Sequence, residues 1–107
     1  MTRYGMVNRI KPGCEEEYWR YHAAVWPEVL AMIRQCHIVN YSIYWKDDLL
    51  FSYFEYHGDD FEGDLAKMAD HPKTQEWWAL VGPLQQPLAT RKPGEWWAEM
   101  QEVFHLD

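Results

Sequence analysis

The sequence predicts an α+β domain built on a small antiparallel sheet, and three observations predict it. The chain has 107 residues, the length of one domain. Runs of β-forming residues and stretches of helical spacing follow each other as strand, helix, strand, strand, helix, strand. The two middle strands are joined by a short polar turn, which antiparallel neighbours allow.

Arg3 to Lys11 alternates loosely, with Tyr4, Met6 and Ile10 on one side and Val7 on the other, and reads as the first strand. Pro12-Gly13 is a turn. Glu15, Glu16 and Glu17 then put negative charge on the first turn of a helix, where the dipole favours it. The helical pattern runs to about Cys36, but Pro27 has no N–H and clashes with the preceding turn. Two pieces are expected, the second opening on Pro27 with Val29, Leu30 and Ile33 as its apolar face.

His37 to Trp45 and Leu49 to His57 are dense in β formers and flank Lys46-Asp47-Asp48, a hairpin. Tyr41 and Ile43 share one face of its first strand. Leu50, Phe54 and Tyr56 share a face of its second, with Phe51, Tyr53 and Glu55 opposite. Asp59 or Asp60 caps a helix carrying Phe61, Leu65 and Met68 at helical spacing. His71-Pro72 interrupts it, Thr74 to Val81 resumes it with Trp77 and Trp78, and Gly82-Pro83 stops it. Gln85 to Glu95 is rich in breakers and reads as a loop. Trp97 to Leu106 reads as a last strand, with Met100, Phe104 and Leu106 on one side and Val103 and His105 on the other.

This order is the ferredoxin-like βαββαβ arrangement. Its helices cover one face of the sheet, so the other face needs cover. Two copies placed face to face supply it, which makes the expected assembly a dimeric α+β barrel, with residues 1–107 as a single domain.

Ten Lys and Arg against 17 Asp and Glu give a formal charge of −7, which argues against nucleic acid, anionic membrane surfaces and highly phosphorylated ligands. A neutral ligand suits it better. No run approaches the ~20 apolar residues of a membrane span, and the first residues lack an apolar signal core, so a cytoplasmic location is expected. Cys14 and Cys36 bracket the helical segment, too far apart to join if it is continuous, so both are expected as free thiols in a reducing compartment.

Two constellations can carry chemistry. Tyr18 and His22 are four residues apart, so on a helix a phenol and an imidazole share one face, and Val25 and Val29 extend that face inward. Such a pair suits proton transfer near neutral pH. The plainer alternative is a core helix whose histidine merely satisfies a carbonyl. The second constellation is Trp77-Trp78. Indoles stack on the flat apolar faces of sugar rings, but neighbours on a helix point ~100° apart, so at most one of the two can stack while the other walls the pocket. The alternative is that both only pin their helix to the sheet. The five histidines show no paired ligand spacing, so no metal is expected.

Taken together, Tyr18-x-x-x-His22, Val25-Trp26-Pro27-Glu28, Asn40-Tyr41-Ser42-Ile43, Leu50-Phe51, Trp77-Trp78 and Glu102-Val103-Phe104-His105-Leu106 resemble the L-rhamnose mutarotase family, in the right order over nearly the whole chain. The resemblance implies a homodimer that interconverts the anomers of a 6-deoxy sugar without a cofactor. It implies His22 as proton donor and Tyr18, Tyr41, Trp77 and Trp78 as substrate contacts. The chain departs from the family in the segment Pro87 to Trp97, where an Asn-Pro-Asp-Asn-Ser-Pro-like stretch is usual, and in the short turn at Lys46-Asp47-Asp48. Rim loops set specificity, so L-fucose competes with L-rhamnose as the substrate. Two readings of other classes stand beside this one: a dimeric α+β barrel monooxygenase or haem-binding protein, and a non-catalytic sugar-binding dimer.

Overall fold

The computed structural model describes residues 1–107. The elements run β1 (Thr2–Arg9), α1 (Glu15–His22), α2 (Pro27–Gln35), β2 (Ile38–Lys46), β3 (Leu49–Tyr56), α3 (Phe61–Asp70), α4 (Pro72–Val81) and β4 (Ala98–Met100). The sheet order is β2-β3-β1-β4 and every pairing is antiparallel. This is the α+β, ferredoxin-like arrangement that the element order predicts. No helix is long and apolar enough to cross a membrane.

Local chemistry explains the helix boundaries. The helical stretch divides where Pro27 demands it, with Pro27 in the first turn of α2 and extended Trp26 before it. Asp60 caps α3, its Oδ1 accepting from the Gly63 N–H at 3.1 Å. His71 caps α4, which therefore begins at Pro72 rather than Thr74.

Strand β3 alternates strictly: Leu50, Ser52, Phe54 and Tyr56 are buried toward the helices, and their neighbours are only half-buried. In register with them stand Asn8, Met6, Tyr4 and Thr2 of β1. Three apolar clusters fill the space beneath the helices. Cys36, Ile38, Phe54, Tyr56 and Met68 form one. Ile10, Tyr18, Leu50 and Leu84 form the second. Val29, Trp77 and Val81 form the third and join α2 to α4. Cys14 and Cys36 are both free thiols.

Strand β2 is irregular in a way that matters for the site. Val39 pairs with Glu55 and Ser42 with Tyr53, so Asn40 and Tyr41 together face Phe54. That is a β-bulge, and it shifts the alternation by one residue. Ile38 points to the helices before it, and Tyr41, Ile43 and Trp45 do so after it, opposite Phe54, Ser52 and Leu50. Asn40 takes the extra residue in the left-handed region, at φ 50°, which asparagine tolerates better than most residues.

The last strand is shorter than the sequence pattern suggests. Pairing with β1 ends at Met100 opposite Gly5, and Gln101 to Asp107 make no ladder pairing, although Arg3 holds Glu102 at 3.1 Å. Beyond Met100 the chain runs past the paired stretch of an edge. Val103, Phe104 and Leu106 lie largely exposed there, because no element of the same chain packs over them.

Candidate active site

A cleft of about 750 Å³ opens between α1, α2 and the edge strand β2. Its wall includes Tyr18, His22, Val29, Tyr41, Ile43, Leu50 and Trp77. Four of the five residues singled out in the sequence therefore meet in one place. Trp78, the fifth, does not line the cleft and is 44% exposed. The reason is helical geometry: Trp77 turns inward with Thr74 and Val81, which leaves its neighbour ~100° around the axis.

The sequence puts Tyr18 and His22 one turn apart, and the structure stacks them, with ring centroids 4.0 Å apart and planes 21° apart. His22 Nδ1 lies 2.9 Å from the Tyr18 carbonyl oxygen. A carbonyl only accepts, so Nδ1 carries the hydrogen, and Nε2 is the nitrogen left with a lone pair. The histidine thus does satisfy a carbonyl, as the plainer reading has it. That bond fixes its tautomer without using its basic nitrogen. Burial lowers the His22 pKa, and the bond to the Tyr18 carbonyl opposes this.

Trp77 stands edge-on to His22 at 5.5 Å and also meets Trp26 at 5.3 Å and Tyr21 at 6.2 Å. These contacts come from α1, from the Trp26 break and from α4, so the Pro27 interruption helps to build the indole-lined wall.

The Tyr18 hydroxyl is buried and no protein group reaches it. Burial pushes its pKa upward, and the Tyr41 phenol adds to the rise, so it stays protonated near neutral pH. Tyr41 lies on the other wall, aimed into the cleft by the Asn40 bulge and tilted against Phe54 at 5.4 Å. Part of its ring is open to solvent, while packing around the hydroxyl pushes the phenol up to about 12. Two neutral phenols and one neutral imidazole thus share a wall of apolar side chains. That arrangement can hold an uncharged, hydroxyl-rich ligand and move one proton.

Sequence reasoning left out Trp19, Arg34 and Trp45, which also line the cleft. A signal existed for Trp45, since it continues the Tyr41 and Ile43 alternation. Trp19 and Arg34 lie on exposed helix faces that look like solvated surface.

A profile of the L-rhamnose mutarotase family matches residues 3–106. The L-rhamnose mutarotase of Phocaeicola vulgatus is 34% identical over the full length of both chains. That of Sinorhizobium fredii is 32% identical over 99% of each. Among solved structures, the L-rhamnose mutarotase of Formosa agariphila aligns over the whole of both chains with a TM-score of 0.78 at 20% identity. Tetracenomycin F2 cyclase, a type-II polyketide cyclase of Streptomyces glaucescens, aligns as completely with a TM-score of 0.70 at 21% identity. At those identities the two structures speak for the fold alone.

Proposed function

The chain belongs to the L-rhamnose mutarotase family of anomer-interconverting isomerases, and from that premise we propose that it opens and recloses the ring of a 6-deoxyhexose through His22. L-Rhamnose is the first candidate substrate and L-fucose the second. The observation that carries the mechanism is the bond from His22 Nδ1 to the Tyr18 carbonyl, which leaves Nε2 as a free base on the cleft wall.

In this mechanism Nε2 takes the proton from the anomeric hydroxyl. The bond between the anomeric carbon and the ring oxygen breaks, and the ring oxygen receives the proton from the imidazolium. Both oxygens sit on the same carbon, so one nitrogen serves them in turn. Rotation of the freed aldehyde and reversal of the steps close the ring on the other face. The lowered pKa of His22 supports this role, because the neutral base predominates at pH 7. Tyr18 supplies a buried hydroxyl to position or relay, Tyr41 holds a sugar hydroxyl, and Trp77 presents its indole to the ring. Trp78 would contact sugar only from outside the cleft wall, so stacking falls to Trp77.

The proposal includes a second copy. Only 18 of the 107 residues are buried, a thin core for a chain this long. The sheet face away from the helices carries Val7, Tyr44, Phe51, Tyr53 and Met100. A copy of itself would cover that face, and ultracentrifugation reads the mass directly.

Saturation-transfer NMR on the anomeric protons of L-rhamnose, L-fucose and other aldoses tests the activity and ranks the sugars. Exchange no faster with enzyme than without, for every sugar, would end the proposal and favour a binding-only protein. A Soret band on adding haem would favour the haem-binding alternative instead.

A further inference from the structure

We infer that the cleft accepts a 6-deoxyhexose as the reducing end of a disaccharide, with Trp19 and Trp45 at the mouth as the platform for the second ring; this rests on the mutarotase reading of the same site.

Clefts of ~300–1,000 Å³ take drug-sized ligands. This one, at about 750 Å³, falls within that range. Its two ends differ. Tyr18, His22 and Trp77 gather at the reacting end, where Tyr18 and Trp77 are buried. At the mouth stand Trp19, 66% exposed, and Trp45, 45% exposed. Trp19 follows Tyr18 on α1 and so sits ~100° around the helix, on the rim of the same wall. Trp45 lies on the helix side of β2, not on the face offered to a second copy.

The chemistry of the mouth fits a sugar ring. The Trp45 indole N–H is bonded to the Asp47 carbonyl, which fixes the ring and leaves its faces free for stacking. Arg34 lines the same cleft and forms no ion pair within the chain, so its N–H groups are available to ring hydroxyls. An uncharged glycan also suits a chain of net charge −7.

Reaction logic sets the direction. Only a residue with a free anomeric hydroxyl can open, so the reducing end must lie against His22. The remaining hydroxyls take no part in ring opening, and one of them can carry a second sugar out through the mouth. Glycosidic hydrolysis of a longer chain releases such ends as one anomer, and this activity would equilibrate them.

The test measures anomeric exchange by saturation transfer for L-rhamnose and for a reducing disaccharide of two 6-deoxyhexoses, with the disaccharide's methyl glycoside as the control that cannot open. The expected result is acceleration of the disaccharide within ~10-fold of the monosaccharide. Trp19→Ala and Trp45→Leu combined should lower sub-saturating disaccharide exchange by ~10-fold, as the loss of ~1.4 kcal/mol of stacking gives. They should leave monosaccharide exchange within about twofold. Acceleration of the monosaccharide alone, or equal effects of the variants on both sugars, would overturn this inference and leave the mutarotase reading intact. Acceleration of neither overturns this inference, and it removes the mutarotase reading as well if L-fucose and the other aldoses also exchange no faster.

Discussion

Two tyrosine–histidine pairs lie at opposite ends of β3, and their hydrogen bonding differs. Near Leu50, Tyr18 stacks on His22, its hydroxyl has no protein partner, and the imidazole keeps one nitrogen free. At the other end, ~20 Å along the strand at ~3.3 Å per residue, the tyrosine hydroxyl is fully engaged. The Tyr56 hydroxyl donates to Asp64 Oδ2 at 2.5 Å and accepts from the Asp60 N–H at 3.0 Å. His37 Nδ1 donates to the same carboxylate at 3.1 Å, and the Cys36 thiol donates to the Asp64 carbonyl at 3.2 Å. Those bonds, from Tyr56 first and His37 next, hold the Asp64 carboxyl below its usual range, while burial and the bond to Asp64 push Tyr56 up to about 12. The contrast teaches that residue types alone do not mark a site. A satisfied network ties α2, β3 and α3 together, whereas an unsatisfied one keeps capacity for a ligand.

The largest effect that would sharpen this contrast is on rate. His22→Ala should lower catalysed anomer exchange by ~10²–10⁴-fold with an unchanged circular dichroism spectrum. His37→Ala should leave exchange per folded molecule unchanged. In the wild type, burial lowers the His22 pKa from 6.5, and protonation removes the base. The rate should therefore rise with pH through a value below 6.5 and then level off, and a kcat/KM profile reads this. An acid limb above 6.5 would break the assignment.

Next comes Tyr18→Phe. An enzyme with this change should lose activity by ~10-fold or more. Its stability should stay level or rise by up to about 1 kcal/mol, because the hydroxyl removed has no partner in the protein. Chemical denaturation beside the exchange assay separates the two quantities. At the other end the signs reverse: Asp64→Ala leaves Tyr56 and His37 without their acceptor, so the thermal midpoint should fall by ~5 °C or more with little loss of activity per folded molecule. A Tyr18→Phe protein as destabilised as Asp64→Ala would erase the distinction.

The smallest effect probes the bulge. Asn40→Ala places a Cβ-bearing, non-hydrogen-bonding residue at φ 50° and should cost up to about 1 kcal/mol, with Asn40→Gly recovering most of it. If Asn40→Ala is silent, the left-handed residue does not hold Tyr41 in place.

Much of this was legible beforehand because the signals are local. The Pro27 break, a cap at Asp59 or Asp60, the β3 alternation and the four-residue spacing of Tyr18 and His22 follow from the stereochemistry of a few neighbouring residues. The length of β4 was not legible. Residues Gln101 to Asp107 have strand-like composition, but a strand also needs a partner, and β1 supplies one only as far as Gly5.

By itself, then, the sequence determined the order of elements, the helical face that joins Tyr18 to His22, and the family to which the chain belongs. Only the tertiary structure decided that Trp77 and not Trp78 lines the cleft, that a bulge at Asn40 aims Tyr41 into it, and that Tyr18 rather than Tyr56 keeps a hydroxyl without a partner. The physical reason is that periodicity is a property of one segment. Whether a polar group is satisfied depends on distant segments that meet it only when the chain has folded.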